Sequence, residues 1–501
     1  MNCFILAFFA LCFFALWTQP MAAAETTKLK PNVLFVAVDD LKPLLGCYGD
    51  ALAKTPHIDR LAARGTVFTR AYCMQAVCSP SRNSVMTGLR PEVLQIYDLP
   101  THFRLRTPDV VTLPQHFKNN GWKSHGLGKI YHVGHGNIDD AQTWSVPHFQ
   151  PRGGAYVLPE NTVKKKPQPP KPKSQMGRGP KDGPAFEAAD VPDNAYADGK
   201  IAAKAIDRLR SFKSSNEPFF LAVGFLKPHL PFNAPQIYWD MHDPSKLPLA
   251  DRDSPPDGAP PFAPQSGGEL RNYVGIPKSG PLPADLQRKL IHGYYAATSY
   301  MDAQVGRILD ELDALGLSEN TIIVLWGDHG WHLGDHGIWC KHTNYEQATR
   351  SPLIMAAPGK SGGQKSAALT EFVDIYPTLC DLANLPKPTH LRGDSFVTVL
   401  DKPDTSIKDA AFQVYPRHTK DTGPLLGHAV RTESWRYVEW RRTKDQSVVA
   451  TELYDMQNDP GETRNLANEP AQAKTIANHR SLLEKRLAIP APSDLKLLPL
   501  K

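Results

Sequence analysis

The sequence predicts an α/β protein, a mixed, mostly parallel sheet sandwiched by helices, followed by a smaller α+β unit. Three observations carry this. Short runs at Asn32–Val38, 121–128, Phe219–Phe225 and 321–326 read as strands, and the continuous apolar runs among them suit strands buried on both faces. Each run is followed at once by charged or imidazole side chains: Asp39-Asp40, Lys129 and His132, Lys227 and His229, Asp328-His329. That recurrence is how an open α/β sheet gathers a site at the carboxyl edge of its strands. Past about Asp401 the texture changes to alternating stretches such as Trp435-Arg436-Tyr437-Val438-Glu439-Trp440, with a helix at 471–487. Residues 25–400 therefore read as the main domain and 401–501 as a subdomain of antiparallel strands plus a helix.

A chain of 501 residues is long enough for one large core and a smaller companion. Its net charge of +6 is spread over a chain that is 22% charged, with much of the excess in one Lys-rich loop. That argues for no nucleic-acid partner. The apolar run 4–17 is too short to span a bilayer and is followed by Ala22-Ala23-Ala24, so residues 1–24 read as a secretory signal and the protein as exported, periplasmic or extracellular. No later segment is apolar enough for stable membrane insertion. With Cys3 and Cys12 in that leader, Cys47, Cys73, Cys78, Cys340 and Cys380 remain. An odd number in an exported protein flags one thiol with another task, and the pairing of the other four stays open.

Taken in order, the strand Asn32–Val38 ends in two adjacent carboxylates, which at the end of a buried strand call for a cation. Thr55-Pro56 opens a short helix with Pro at its first position, stopped by Gly65. In Cys78-Ser79-Pro80-Ser81-Arg82, the fixed φ of Pro80 suits the first turn of a helix, which puts Cys78 at that helix's positive end with the permanent charge of Arg82 close by. A cysteine on its own is usually a packing residue; this box reads as a nucleophile. Residues 163–184, rich in Lys and Pro, and 251–264, rich in Pro, read as exposed loops. Pro228 biases Lys227 to an extended shape and so aims Lys227 and His229. The segment 284–315 is the longest helix, expected to break near Gly293, with apolar residues at steps of three and four that make it a packing element.

The box Cys78-x-Pro80-x-Arg82, continuing through Thr87-Gly88-Leu89-Arg90-Pro91, resembles the signature of the type I sulfatases of the alkaline phosphatase superfamily. Asp39-Asp40, Gly128-Lys129-Ile130-Tyr131-His132, Lys227-Pro228-His229-Leu230-Pro231-Phe232 and Asp328-His329-Gly330-Trp331 through Lys341 follow in the order seen there, most similar to the iduronate-2-sulfatase branch. The resemblance implies an alkaline-phosphatase-like fold. It also implies that a formylglycine-generating maturation enzyme converts Cys78 to formylglycine (3-oxoalanine), the catalytic nucleophile, and that one Ca2+ is held by Asp39, Asp40, Asp328, His329 and the modified Cys78. Lys129, Lys341 and His229 would then offset charge on the sulfate, with His229 or Lys341 the proton donor to the leaving alcohol. His132 would be the base that releases sulfate, and Arg82 would hold the nucleophile. The expected substrate is a sulfated polysaccharide or oligosaccharide, with a uronate 2-O-sulfate as the ester.

Two rivals stand beside this reading. One is a phosphodiesterase or phosphonate monoester hydrolase of the same superfamily, which would need more cationic neighbours for a dianionic phosphoryl group. The other is a sulfated-glycan binding protein with Cys78 unmodified. Loops at 97–106, 136–190 and 413–428 are where sugar recognition would sit, with Tyr97, His102 and Arg104 as pocket residues or ordinary surface.

Overall fold

The computed structural model describes residues 30–162, 183–265 and 267–500. The leader 1–24 and nearly all of the Lys-rich stretch lie outside the described residues.

The main sheet has seven strands: β1 (Asn32–Val38), β2 (Thr66–Phe68), β3 (Lys123–Gly128), β4 (Phe219–Phe225), β5 (Thr321–Gly327), β6 (Leu353–Ala356) and β7 (Gln364–Ser366). They lie in the order β7-β2-β6-β5-β1-β4-β3. The strands read from the sequence form one parallel block, since β1 pairs parallel with both β4 and β5, and β3 parallel with β4. All four therefore end on one edge. The short β6 runs antiparallel to β5 and β2, making the sheet mixed.

The helices are α1 (Pro56–Arg64), α2 (Cys78–Thr87), α3 (Leu113–Asn119), α4 (Ala197–Ser215), α5 (Ala284–Ala314), α6 (Ile375–Leu382) and α7 (Ala473–Leu487). Because successive strand residues face opposite ways, β1 feeds two cores. Val33, Phe35 and Ala37 pack with Val85 and Met86 of α2, Phe117 of α3 and Tyr376 and Leu379 of α6. Leu34, Val36 and Val38 pack with Ile58 and Leu61 of α1, Ile201 and Leu209 of α4, and Met301 and Val305 of α5. Each such buried side chain contributes about 1.5–3 kcal/mol. The sheet is thus covered on both sides, as continuous apolar strands require.

Helix α5 runs unbroken through Gly293, contrary to expectation. The glycine is there for close approach: a Cβ at this position would lie 2.9 Å from Trp239 and 3.0 Å from Phe232.

The strands β8 (Ala411–Thr419), β9 (Gly423–Arg431), β10 (Trp435–Arg442) and β11 (Val448–Asp455) form an antiparallel meander. One face packs on α7 through Val430, Tyr437, Leu453 and Leu483. The other packs Leu425, Val438 and Trp440 against Ala263, Ile338 and Tyr345 of the main domain. Among the described residues the five cysteines carry no disulfide, and no helix is long and apolar enough to cross a membrane.

Candidate active site

Helix α2 starts at Cys78, with Pro80 in its first turn, and points its N-terminus at the carboxyl ends of β1, β3 and β5. Arg82, fully buried, fastens those three strand ends together. Its Nε donates to Asp328 Oδ2 at 2.8 Å, its Nη2 to Asp39 Oδ1 at 3.0 Å, and its Nη1 to the carbonyls of Lys129 and Ile130. Ser81 Oγ adds a bond to the Asp328 carbonyl at 2.5 Å. The guanidinium therefore acts on the acidic residues around Cys78 and has no direct bond to its sulfur among the hydrogen bonds described.

Asp40 has a left-handed backbone, φ 59°, which Asp tolerates better than most residues. Three bonds hold it there. Its N–H donates to Asp328 Oδ1 at 3.0 Å, while the Tyr294 hydroxyl donates to its carbonyl at 2.8 Å and accepts from Lys42 N–H at 2.7 Å. Helix α5, read from the sequence as a packing element, thus also fixes the loop that carries the paired aspartates. Lys129 follows β3 across β4 at Gly224, where a Cβ would come within 2.2 Å of the Lys129 carbonyl. Strands packed this closely need a glycine there.

These elements converge on Cys78. Its Sγ lies 3.4 Å from His329 Nε2, 3.8 Å from Lys129 Nζ and 4.0 Å from Asp40 Oδ1. Asp39 is paired with Lys129 as well as with Arg82, and Lys341 Nζ lies 2.9 Å from Asp40 Oδ1. His229 Nε2 lies 3.7 Å from Asp40 Oδ2. Burial works to raise Asp39, but Lys129, His229 and Arg82 hold it well below the usual carboxylate range. For Asp40 burial wins over His229 and Lys341 and pushes it up. Burial, then Asp39, also pushes the Cys78 thiol well up, so an unmodified Cys78 is a poor nucleophile at neutral pH.

The donor set fits a divalent cation. His329 Nδ1 lies 3.0 Å from the Gly330 carbonyl, which only accepts, so that nitrogen carries the hydrogen. Its Nε2 then aims a lone pair at Asp40 Oδ1, 3.3 Å away, and Asp328 Oδ1, 3.6 Å away. Acceptors facing acceptors in a buried cluster are what a metal ion reconciles. Asp39, Asp40, Cys78 and His229 form one group close enough to share an ion, and Cys78, Asp328 and His329 another, with Cys78 common to both.

Other residues take different places. His132 is buried beside the cluster, its Nε2 2.9 Å from His135 Nδ1 and its Nδ1 without a partner, and burial together with Lys129 brings it down to about 2. Lys227 is used structurally. Its ammonium donates to the carbonyls of His229 at 3.0 Å and Pro231 at 2.6 Å, and Asp198 caps its backbone N–H at 2.9 Å, so the two shape the loop that presents His229. Arg104 is a surface-loop tie: its fork meets Asp140 at 2.9 and 2.8 Å, and its Nη1 donates to the carbonyls of Pro108 and Val110. His102 caps the turn carrying it, and Tyr97 meets Gln75 through its backbone carbonyl.

One residue escaped the sequence reading. Glu269 places Oε1 3.1 Å from His229 Nε2 and Oε2 3.1 Å from Lys341 Nζ. It follows no strand and stands in a loop after the Pro-rich stretch, so nothing in its neighbourhood marked it.

The sulfatase family model matches residues 31–385, most of the chain. The protein belongs to the sulfatase family. A second model, the C-terminal region of N-sulphoglucosamine sulphohydrolase, matches residues 334–488. The sulfatase is 33% identical to human iduronate 2-sulfatase, covering 91% of this chain and 94% of that protein. Its fold matches a solved structure in complex with its substrate D-glucosamine-2-N,6-O-disulfate, with a TM-score of 0.72, 22% identity, and 91% and 97% of the two chains covered. It also matches the phosphonate monoester hydrolase of Silicibacter pomeroyi, with a TM-score of 0.71, 22% identity, and 91% and 95% covered. The alkaline-phosphatase-like α/β fold and a sulfuric ester hydrolase activity follow from these findings.

Proposed function

We propose that this sulfatase removes the 2-O-sulfate of uronate residues from a sulfated polysaccharide or its oligosaccharides, acting from a formylglycine at position 78 beside a calcium ion. The observation that carries the reading is the convergence of Cys78, Lys129, His329 and Asp40 at the helix N-terminus, all within 4.0 Å of the Cys78 sulfur. The similarity to human iduronate 2-sulfatase over most of both chains supports the uronate 2-O-ester in particular.

Asp39, Asp40, Asp328 and His329, with the modified Cys78, would hold the ion; hard carboxylate oxygens suit Ca2+. Bound there, the ion supplies Lewis-acid polarisation of the sulfate oxygens, and the hydrated aldehyde supplies the attacking hydroxyl. Lys129 and Lys341 offset negative charge on the sulfate from fixed positions. His229, one of the more solvent-accessible groups of the cluster, donates a proton to the leaving sugar oxygen, and Lys341 is the other donor in reach. His132, whose Nδ1 has no partner, is the base in reach for the step that frees sulfate, and the negative charge of the ester would offset the burial and the Lys129 charge that otherwise hold it neutral. The leader 1–24 directs export, and a formylglycine-generating enzyme matures Cys78.

Defined oligosaccharides test the specificity. The matured enzyme is expected to desulfate 2-O-sulfated uronates and to leave N- and 6-O-sulfated glucosamine intact, as read by mass spectrometry of the sugars. Cleavage confined to glucosamine sulfates would remove the uronate assignment while leaving the sulfatase chemistry in place.

A further inference from the structure

Glu269 is built into the site. Gln265 Nε2 donates to the carbonyls of Trp339 at 2.6 Å and Lys341 at 2.8 Å, which clamps the loop bearing Glu269 onto the segment bearing Lys341. The Lys341 ammonium is then shared between Asp40 Oδ1 at 2.9 Å and Glu269 Oε2 at 3.1 Å, and sits 5.0 Å over the Trp331 ring. The other carboxylate oxygen reaches His229. Asp39, Asp40 and Asp328 are less than 2% exposed and lie on the metal side, whereas the Glu269 side chain is 20% exposed, close to the 21% of His229. Of these four carboxylates it is the one that reaches solvent.

We propose that Glu269 is a specificity-determining residue: it positions Lys341 and His229 for the leaving oxygen, and its charge makes the site favour monoanionic sulfate esters over dianionic phosphate esters. The inference rests on the sulfatase chemistry at Cys78 and concerns the choice between sulfur and phosphorus, which the fold leaves open: a phosphonate monoester hydrolase shares it. A sulfate monoester carries one negative charge, and a phosphate monoester, with a second pKa near 6, carries close to two at neutral pH. Arg82 is spent on Asp39 and Asp328. That leaves Lys129 and Lys341 as lysines near the nucleophile, and Glu269 takes up part of the charge of Lys341. A second charge on the ester then meets fewer uncommitted cations and one more anion, a penalty the sulfate ester largely avoids.

The test measures kcat/KM for 4-nitrophenyl sulfate and 4-nitrophenyl phosphate with full-length, matured wild type, E269Q and E269D. E269Q is expected to raise the phosphate-to-sulfate ratio by about ten-fold, the scale of one unit charge a few ångströms away in a partly solvated site. E269D, which keeps the charge, should stay near the wild-type ratio. On a sugar sulfate, whose alcohol leaves with a proton, E269Q should lose more kcat than on the aryl sulfate, a split that a merely structural role would not produce. Should E269Q not fold, E269A reads the same ratio. An unchanged ratio in a folded variant with wild-type conversion of Cys78 overturns this inference alone. A matured wild type that cleaves aryl phosphate but no sulfate ester overturns both it and the reading beneath it.

Discussion

Two of the buried arginine-centred charge clusters among the described residues differ in what they leave unanswered. Around Arg436, where the C-terminal sheet meets the main domain, Nη2 meets Glu346 at 2.5 Å, Nε meets Glu462 at 2.6 Å and Nη1 donates to Gln413 at 3.1 Å. Arg431 and the Tyr72 hydroxyl complete Glu346. Each charged group there lies within ion-pair distance of an opposite charge supplied by the fold, although Arg436 Nε and Glu462 Oε1 are not aligned for a hydrogen bond. Around Arg82 the same residue types are gathered, yet His329 Nε2, without a proton under its Nδ1–H tautomer, faces oxygens of two carboxylates. Buried charge by itself is thus structural; buried charge in excess of its partners, at a sheet's carboxyl edge, marks the chemistry.

The comparison breaks most visibly at Cys78. Cys78→Ala is expected to lower turnover of a sulfate ester by about four orders of magnitude while leaving the thermal midpoint near that of the wild type, since it removes the nucleophile and little packing. Arg436→Met should do the opposite: about 3–5 kcal/mol lost in urea denaturation, because Glu462 and Glu346 lose a buried partner, with turnover per folded molecule unchanged. If Arg436→Met cut turnover and Cys78→Ala only stability, the two clusters would have to exchange roles.

A smaller effect sharpens the structural side. Burial, against Arg436 and with Glu346, pushes Glu462 from its ordinary 4.5 up to about 7. The folded protein keeps a proton on it up to about pH 7, the unfolded chain only to about 4.5, so folding takes up a proton in between and stability falls as pH rises through that window. The loss reaches about 3 kcal/mol at most, and Glu462→Gln should remove the slope in denaturation curves measured between those pH values. Smallest is Tyr294→Phe, which frees the Asp40 carbonyl and the Lys42 N–H. A cost of about 1–3 kcal/mol in stability is expected, and under the proposed calcium dependence more of the ion would be needed for half-maximal activity as Asp40 relaxes from its left-handed backbone.

Much of the site was legible because its residues follow strands that stop abruptly. Asp39-Asp40, Lys129, His229 and Asp328-His329 each sit within four residues of an apolar or β-prone run, and parallel pairing of β1, β3, β4 and β5 brings those ends to one edge. Residues placed by tertiary clamps left no such trace. Glu269 reaches the site because Gln265 grips the Lys341 segment, and Tyr294 looked apolar because its ring serves the core while its hydroxyl serves Asp40. Gly293 suggested a break because a glycine lowers helix propensity, whereas here it makes room for Trp239. Strand β6 is four residues, too short for a period to show, so the mixed sheet was expected from the family resemblance while its antiparallel strand was not located by pattern. Arg104 stood open between pocket and ordinary surface, because the Asp140 that answers its charge lies far along the chain, invisible to local reading.

The central claim is that residue 78 acts as an aldehyde hydrate. Mass spectrometry of the peptide spanning Ala71 to Arg82, on samples matured to different extents, measures it directly against sulfate-ester turnover in the same samples. The account predicts the mass of 3-oxoalanine at position 78 and activity proportional to the converted fraction. Full turnover from protein whose Cys78 is an intact thiol would contradict it.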